Sequence, residues 1–529
     1  MILKLLLLIL CLNIGFLCSF AQTNAEAKSF TRADTLSGSI TPERAWWDLL
    51  HYDLNVTPNI TDKTITGYVD IQFKASKNGD KMQVDLQQPL LIDSIFLNGK
   101  ESLRFVRDSN MALVSFKKSI KQGSTHTVRV YYHGKPREAK NPPWDGGVTW
   151  TKDGLGNVFV STSCQGLGAS VWWPCKDHQQ DEPNNGATIS ITTPDTLMDV
   201  SNGRLVSVLP NETLHTKTWK WEVKSPINNY SLSMNIGKYE HFSDTFYGEA
   251  GVLDLNFYPL SNHVKEAKEQ FQQAKQMLRC FESWLGKYPF YEDGYKLIEV
   301  PYLGMEHQSA VTYGNKFKNG YLGRDLSGTG WGLKGDFIII HESGHEWFGN
   351  NITSKDITDM WIHEGFTNYT ETLFTEWQSG KKAAYEYNFG IRKRIANRYP
   401  IIGTYGVQNS GEAGTDMYYK ASNMIHTIRN AINNDVTFKM MLRKLNEQFY
   451  HATITTMDIQ YLMEQFAGFP LKPVFDQYLY LKIKEKDIKL DVTANEWKTK
   501  NINIGEADDI TALAIEFNYY IKVKVLPTN

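Results

Sequence analysis

Apolar and polar residues alternate along the first half of the chain, from about Trp46 to Phe242. The alternation runs through YDLNVTP, GYVDIQFKAS, MALVSFKKS, HTVRVYYHG and the longer MQVDLQQPLLIDSIFLNG, which are separated by Gly, Asn, Asp and Pro. A period of two residues turns one side of each segment to a core and the other to solvent. The pattern therefore predicts extended antiparallel sheet over this half.

Near Asn262 the period of the apolar residues lengthens to three or four. The apolar positions of this stretch are Ala267, Phe271, Ala274, Leu278, Phe281 and Leu285. That spacing predicts an amphipathic helix that ends near Gly286. Helical patterning then continues to about Tyr480, interrupted by the strand-like YKLIEVPYL, and residues 481–529 return to a period of two.

These changes of period predict a multidomain α+β protein, and 529 residues also exceed what one hydrophobic core usually supports. The predicted segments are a β domain over 22–245, a mainly helical domain over 246–480 and a short C-terminal β segment over 481–529. Residues 1–21 are predicted to be a secretory signal peptide, because one basic residue precedes an apolar run and small residues precede Gln22. The protein is therefore expected to be exported to the periplasm or the cell exterior.

The composition limits which classes of molecule the protein is expected to bind. The formal net charge of −2 argues against binding to nucleic acid or to an anionic membrane surface. Beyond the signal peptide no stretch approaches the roughly 20 apolar residues that cross a bilayer. Cys164 and Cys175 could pair in an oxidising compartment or remain buried thiols, and both alternatives stay open.

A glycine-rich stretch runs from Tyr313 to Asp336 and reads YGNKFKNGYLGRDLSGTGWGLKGD. Long segments without regular structure are often functional, so a mobile loop at the mouth of a cleft is one interpretation. A solvated connector is the other. The sequence does not favour either.

The residues with the clearest chemistry lie in HESGHEWFG, which follows the apolar run FIII. Asp336 is placed to cap the start of a helix, and a glycine closes the segment. On a helix His341 and His345 lie about 40° apart around the axis, so both imidazoles face one side and can occupy two corners of a zinc tetrahedron. Glu342 is rotated by about 100° and can reach a water molecule at the metal.

A third metal ligand is predicted on a second helix. Glu364 follows His345 after an eighteen-residue gap, within the helical pattern DMWIHEGFTNYTETLFTEW. Three protein ligands with an open fourth position are typical of catalytic zinc sites, so one zinc ion per chain is expected. The neighbouring His363 points elsewhere on the helix and is interpreted as a residue behind the ligands or on the surface.

Such a site predicts metal-assisted hydrolysis. The metal would activate a water molecule, and Glu342 would take its proton and deliver it to the leaving amine. The oxyanion of the tetrahedral intermediate also needs a donor. In GTDMYYKASNMIHTIRN either Tyr418 or Tyr419 could supply it, and spacing alone does not separate the two.

Taken together, the motifs resemble those of the aminopeptidase N and leukotriene hydrolase-like zinc metallopeptidases. The resemblance is carried by HESGHEWFGN, WIHEGFTNY, YLGMEHQSA, SCQGLGASVWWPCKD and YYKASNMIHTI, and it spans about Trp46 to Tyr480. It implies an N-terminal β saddle followed by a thermolysin-like catalytic domain. Many members carry a large helical C-terminal domain, and the roughly 50 residues that follow Tyr480 in this sequence are not expected to build one. The site is then either more open, or closed by a partner subunit or by the glycine-rich stretch.

The resemblance also implies roles for single residues. The family's GAMEN motif matches LGMEH here, so Glu306 would bind the free α-amine of a substrate whose backbone runs beside Gly304 and Met305. His307 replaces the motif's asparagine. Gln165, in SCQG, matches the second amine contact.

In the same way Tyr418 matches the tyrosine of the family's Y-x-K-G motif, in which Ala421 replaces the glycine. The leading hypothesis is an exported zinc aminopeptidase that acts on peptides with free N-termini. The alternatives are a thermolysin-like endopeptidase and a non-catalytic relative that only binds peptide ends. Retention of Glu342 together with Tyr418 argues against the last. The sequence leaves the oligomeric state open.

Overall fold

A computed structural model of the chain describes residues 29–409 and 412–481. Two short helices, α1 (Arg32–Gly38) and α2 (Pro42–Ala45), precede the first strand. The Thr31 and Asp34 side chains cap the start of α1 reciprocally and so satisfy two backbone N–H groups. The predicted signal peptide lies outside the described residues, as does the predicted C-terminal β segment from residue 482 onward.

The first half of the described chain is sheet, as its alternation predicts. The strands are β1 (Trp47–Asn59), β2 (Thr64–Ala75), β3 (Gly79–Asp85), β4 (Leu91–Leu97), β5 (Glu101–Asp108), β6 (Met111–Ile120), β7 (Thr125–Gly134), β8 (Gly147–Lys152), β9 (Val158–Ser163), β10 (Ala187–Pro194), β11 (Met198–Val200), β12 (Arg204–Asn211), β13 (Thr216–Val223) and β14 (Asn235–Gly237). They form a larger sheet of order β12-β13-β10-β1-β2-β7-β4-β5-β6-β3 and a smaller one of order β11-β14-β9-β8.

Neighbouring strands in these two sheets are antiparallel, except that β1 and β10 run parallel. A bulge between Leu49 and His51 shifts the register of β1 against β2. Because the bulge inserts one residue, Trp47 before it and Tyr52 and Leu54 after it all face the core. The long first strand thus keeps one apolar face along its whole length.

A five-stranded sheet follows and carries part of the candidate site. Its strands are β15 (Phe242–Gly248), β16 (Gly251–Tyr258), β17 (Tyr295–Glu299), β18 (Gly304–Met305) and β19 (Val311–Tyr313). The order is β15-β16-β17-β19-β18, so β18 is a terminal strand of this sheet within the described residues. The strand predicted from YKLIEVPYL is confirmed as β17.

The predicted amphipathic helix is confirmed with one interruption. It is divided into α3 (Val264–Gln270) and α4 (Gln273–Leu285) by a turn at Phe271 and Gln272. The helix ends before Gly286, whose φ of 98° lies in a region that favours glycine. The apolar side of α4 is buried against the five-stranded sheet and the helices that follow.

The remaining elements are mainly helical. They are α5 (Phe337–Gly344), β20 (Ile352–Ser354), α6 (Trp361–Ser379), α7 (Lys381–Arg392), α8 (Asp416–Ile432), α9 (Asp435–Gln448), β21 (Ala452–Ile454), α10 (Thr456–Ala467) and α11 (Lys472–Phe475), with a short π-helical turn at Asp476–Tyr480. The strands β20 and β21 pair in parallel. Helix α6 packs on both α5 and α8, and this packing brings the site together.

Two hydrophobic cores lie on opposite faces of the five-stranded sheet. Along β17, Ile298 belongs to the core of the N-terminal sheets, whereas the adjacent Leu297 belongs to the core of the helices. Successive strand residues point to opposite faces, so this strand joins the two cores. Each fully buried large apolar side chain stabilises such a core by roughly 1.5–3 kcal/mol. The predicted multidomain α+β architecture is confirmed, whereas the predicted boundary after residue 245 stays a prediction and falls within β15.

Cys164, Cys175 and Cys280 are buried free thiols, so the alternative in which Cys164 and Cys175 pair is not realised. Burial raises the pKa of the Cys164 and Cys175 thiols far above the usual value, which makes both groups unreactive. Within the described residues no helix is both long enough and apolar enough to cross a bilayer.

Candidate active site

The first predicted ligands lie at the end of a short, completely buried helix. Asp336 caps α5 as predicted, and its Oδ1 accepts hydrogen bonds from the backbone N–H groups of Ile338 (3.2 Å) and Ile339 (3.4 Å). His341 lies in the last turn of α5. His345 follows its final residue but keeps helical dihedral angles of −63° and −20°. The two imidazoles therefore share one side of the helix, with ring centroids 5.1 Å apart.

The structure brings the third predicted ligand to the same point. Glu364 Oε2 lies 3.6 Å from His341 Nε2 and 3.3 Å from His345 Nε2. All three side chains are buried, and their ligand atoms lie within 4.8 Å of one another. Two nitrogen or oxygen atoms bound to one tetrahedral zinc ion are separated by roughly 3.3 Å, so these spacings suit a shared ion.

The orientation of the two imidazoles also suits a metal. His341 Nδ1 lies 2.7 Å from the carboxylate of Glu371, and His345 Nδ1 lies 3.0 Å from the carbonyl oxygen of Phe348. Both partners accept, so both Nδ1 atoms donate, and each ring turns its Nε2 to the site. Burial lowers the pKa of both imidazoles, but Glu364 and the neighbouring carboxylates outweigh it and raise the pKa above its usual value, so a metal ion at Nε2 would take the place of a proton. No hydrogen-bond donor among the described residues satisfies the buried Glu364 Oε2. A zinc ion fits this donor set.

Small residues allow the three helices to approach closely. A Cβ atom added to Gly344 of α5 would lie 2.7 Å from Thr370 Oγ1 of α6, and one added to Gly365 of α6 would lie 2.6 Å from the Cβ of Ala421 on α8. A larger side chain at either position would separate the helices. Ala421, where the resembling family has glycine, is therefore itself part of a tight contact.

The electrostatics divide the carboxylates of the site into two kinds. Burial opposes ionisation of Glu364, but His345 and His341 outweigh it and hold the pKa of Glu364 well below its usual value. Burial is also the largest influence on Glu342, and there it raises the pKa to about 7. Glu364 is thus an ionised ligand, whereas Glu342 is a carboxylate that can exchange a proton near neutral pH.

Glu342 faces the terminal strand of the five-stranded sheet. A Cβ atom on Gly304 would lie 2.8 Å from Glu342 Oε1 and 2.9 Å from a methyl group of Ile338, so only glycine leaves this carboxylate in place. The side chain of Met305 is buried in the N-terminal core. Among the described residues no strand pairs with the outer side of β18, so an extended peptide could add there as a further strand.

The two residues predicted to bind an amine lie next to the metal ligands. Gln165 Nε2 donates to Glu306 Oε1 at 2.5 Å and to Glu364 Oε1 at 2.8 Å. Ligand atoms of Glu306, Glu342 and His345 also lie within 4.8 Å of one another. Burial raises the pKa of Glu306, while His345 lowers it. A carboxylate that does not belong to the predicted ligand set, Glu306, therefore lies directly beside the metal ligands.

The structure separates the two candidate tyrosines. The phenol of Tyr418 lies close enough to Glu364, Glu306 and Glu342 for their charges to act on it, and its ring stacks on His341 at a centroid distance of 6.0 Å. Burial raises the pKa of Tyr418 well above its usual value, so the phenol remains a neutral donor. The phenol of Tyr419 is instead influenced by Glu371 and by Arg394, whose guanidinium carbon lies 5.9 Å from the ring centroid.

Two further histidines, His363 and His307, lie near the motifs but are buried in the protein interior. His363 is fully buried, so the surface interpretation is wrong. Its Nε2 accepts from the backbone N–H of Ser354 at 2.9 Å, and burial lowers its pKa to about 3. His307 is also fully buried, and neither ring nitrogen has a hydrogen-bond partner among the described residues.

Sequence reasoning missed several residues that contact the site. Glu371 accepts from His341 Nδ1 and is in turn held by Tyr321 and Tyr387. Tyr230, from the N-terminal half, interacts with Glu306. Helical periodicity offered a signal for Glu371, which lies seven residues after Glu364 and hence on the same face of α6. No signal in the sequence pointed to the tyrosines.

Comparison with known families gives two matches in chain order. Residues 49–230 match the Peptidase M1 N-terminal domain, and residues 269–478 match the Peptidase family M1 domain. One similar structure is an M1 zinc metallopeptidase mutant from Deinococcus radiodurans with a Tyr-Ser-Ala substrate bound; it has a TM-score of 0.70 and 20% identity, and the match covers 85% of this chain and 98% of that one. Another is yeast LTA4 hydrolase, with a TM-score of 0.67 and 17% identity, where the match covers 83% of this chain and 68% of that one. These likenesses establish the fold.

Curated relatives of similar sequence are longer. They include tricorn protease-interacting factor F2 of Thermoplasma acidophilum, 21% identical over 81% of this chain and 52% of its own length. Another is the puromycin-sensitive aminopeptidase of Caenorhabditis elegans, 21% identical over 79% of this chain and 45% of its own length. The chain thus spans about half the length of the curated relatives it matches.

Proposed function

Because the chain belongs to peptidase family M1, we propose that it is a zinc-dependent aminopeptidase that hydrolyses the N-terminal peptide bond of peptides. The observation that carries the proposal is the contact of Gln165 with both Glu306 and Glu364. The two hydrogen bonds, of 2.5 and 2.8 Å, keep the proposed amine-binding carboxylate close to a metal ligand. This separation is of the order of one residue of extended chain, roughly 4 Å. An enzyme that removes single residues from a free N-terminus needs this spacing.

The ion would be held by His341, His345 and Glu364. A zinc ion bound there supplies a Lewis acid that polarises the scissile carbonyl and lowers the pKa of a water molecule. The protein supplies the rest of the chemistry. Gln165 and Glu306 orient the substrate by its ammonium group through charge-assisted hydrogen bonds, which are stronger than neutral ones.

Proton transfer is assigned to Glu342. As a carboxylate it takes a proton from the attacking water while the C–O bond forms, and it returns that proton to the amine nitrogen as the C–N bond breaks. The Tyr418 hydroxyl donates a hydrogen bond to the oxyanion that develops on the former carbonyl oxygen. Glu342 is buried and Tyr418 is half-buried, so little water competes for these interactions, which strengthens them.

The amine-binding end distinguishes this proposal from a thermolysin-like endopeptidase. We expect an amino-acid arylamide to be hydrolysed and its N-acetylated form to be resistant, because acetylation removes the ammonium charge that Glu306 binds. Turnover should stop when a chelator removes the metal and return when zinc is restored. Comparable hydrolysis of the free and acetylated compounds would support an endopeptidase instead.

Glu306→Ala is expected to lower kcat/KM for the free-amine arylamide by about 10²-fold, with a higher KM and a lower kcat. The loss corresponds to one buried charge-assisted contact, about 3 kcal/mol. Steady-state kinetics at saturating zinc measure it. Glu212→Ala, at an exposed position between β12 and β13, is the control and should leave both constants within about twofold. Unchanged kinetics of Glu306→Ala would remove its role as the amine anchor.

The same proposal includes export. It is supported by the composition of residues 1–21, in which an apolar run follows Lys4 and small residues precede Gln22. A mature chain that begins at Gln22 in the exported fraction is the expected result of N-terminal sequencing, and an unprocessed chain retained in the cytoplasm would contradict it.

A further inference from the structure

The carboxylate behind His341 is buried and takes no part in the proposed hydrolysis. Glu371 lies on α6, two turns after Glu364 and on the same face. Its Oε1 accepts from His341 Nδ1 at 2.7 Å, and the side chain is fully buried. This hydrogen bond determines which nitrogen of His341 faces the other ligands, so whatever holds Glu371 in place also orients a metal ligand.

Two tyrosines hold Glu371. The Tyr321 hydroxyl donates to Oε1 at 2.5 Å, and the Tyr387 hydroxyl donates to Oε2 at 2.5 Å. Together with His341 they give both carboxylate oxygens a short hydrogen bond. Phenols ordinarily titrate near pH 10, so both remain donors at neutral pH. Glu371 cannot rotate away from His341 without breaking at least one of these bonds.

Tyr321 comes from the glycine-rich stretch, residues 313–336, whose role the sequence left open. Asn315 Nδ2 donates to Asp336 Oδ1 at 2.7 Å, and Tyr321 and Arg324 exchange two backbone hydrogen bonds of 3.0 and 3.1 Å. Asp336 also caps α5, the helix that carries His341. The stretch is therefore hydrogen-bonded to the start of the metal-binding helix, and its tyrosine reaches the back of the site rather than its mouth.

Tyr387 comes from α7, and its orientation is fixed by the same metal-binding helix. Its ring stacks on Phe337, the first residue of α5, with centroids 5.1 Å apart and an angle of 23° between the planes. The ring of Tyr321 lies 6.2 Å from the same phenylalanine. One side chain at the start of α5 thus supports both donors to Glu371.

We propose that Tyr321 and Tyr387 are positioning residues for the metal site, which hold Glu371 as the acceptor of His341 Nδ1 and so keep His341 Nε2 directed at the ion. The proposal rests on the proposed function only in requiring a metal at His341, His345 and Glu364. It also gives the glycine-rich stretch a definite role, because this stretch delivers one of the two hydroxyl groups that hold Glu371 beneath the ligands.

The test is zinc affinity, measured on purified full-length protein by equilibrium competition with a chromophoric chelator. Tyr321→Phe and Tyr387→Phe each remove one hydroxyl and keep the ring. Each is expected to raise the zinc dissociation constant by 10- to 100-fold, the effect typical of losing a partner behind a metal ligand. The double variant should lose more than either single variant. At saturating zinc, kcat for the arylamide should recover to within a few-fold of the unmodified protein.

Tyr385→Phe is the matched control, since it removes a hydroxyl from the same helix, where the ring pairs with Phe389 at 6.3 Å. It should leave the zinc dissociation constant unchanged. If Tyr387→Phe does not fold, the zinc dissociation constants of Tyr321→Phe and Glu371→Gln test the proposal instead. Zinc affinities within twofold of the unmodified protein, or a lower Tm of the metal-free protein with unchanged zinc affinity, would overturn the proposal.

The measurement does not depend on catalysis. Weakened zinc binding in the two variants, in a protein that cleaves no arylamide, would support the positioning role while removing the proposed aminopeptidase function. Hydrolysis of free-amine arylamides together with unchanged zinc affinity in the variants would support the aminopeptidase function and remove the positioning role.

Discussion

Glu342→Gln should lower kcat for an amino-acid arylamide by about 10³-fold, because general acid–base catalysis typically contributes between 10² and 10⁴. Glutamine keeps the shape of the side chain beside Gly304 but cannot take a proton from water. The ligands His341, His345 and Glu364 are untouched, so the variant should still bind one zinc ion per chain. Stopped-assay kinetics together with the metal content of the same preparation measure both quantities.

The matched control for that change is Glu447→Gln, which removes a carboxylate at an exposed site on α9 and should leave kcat within about twofold. Turnover by Glu342→Gln within tenfold of the unmodified protein, at full zinc content, would assign the proton transfer to another group. Loss of zinc by the variant would instead show that Glu342 contributes to the metal site.

Tyr418→Phe is expected to lower kcat by 10²- to 10³-fold with little change in KM, since removal of one oxyanion donor has an effect of this size. The charges of Glu364, Glu306 and Glu342 act on the phenol of Tyr418, whereas Tyr419 lies beside Arg394. The donor is needed only once charge develops on the substrate oxygen, so substrate binding should be nearly unaffected.

Tyr419→Phe is the control built into the chain, because it removes the same group from the next residue of the same helix. Its kcat should stay within about threefold of the unmodified protein. If the two variants exchanged these results, the oxyanion donor would be Tyr419. If both retained full kcat, neither tyrosine would stabilise the oxyanion.

The parts of the site that lie on one helix were predictable from the sequence. The interval of four residues between His341 and His345, with Asp336 as the cap, determines their common direction once α5 forms, because a helix has a fixed period. The same period applied to α6 would have placed Glu371 above Glu364. That inference needed no structure, although nothing in the sequence marked Glu371 as the partner of His341.

Contacts between separate helices and strands could not be predicted from the local sequence pattern. The eighteen-residue gap between His345 and Glu364 permits many arrangements, and the observed one depends on the close approach of α5 and α6 that Gly344 allows. Tyr321 reaches Glu371 through a segment whose shape is set by hydrogen bonds between the Asn315 side chain and the backbone, not by periodicity. The resemblance to a known family supplied the amine-binding residues, which no spacing rule would have brought together from such distant parts of the chain.

Zinc titration of metal-free protein is the most direct measurement of the central claim, that His341, His345 and Glu364 bind one catalytic ion beside an amine-binding carboxylate. Hydrolysis of a free-amine arylamide should rise in proportion to added zinc and reach its maximum at one ion per chain, while the N-acetylated compound stays intact. A protein that holds one zinc ion per chain and leaves the free-amine compound intact, or one that cleaves it equally well without metal, would contradict the account.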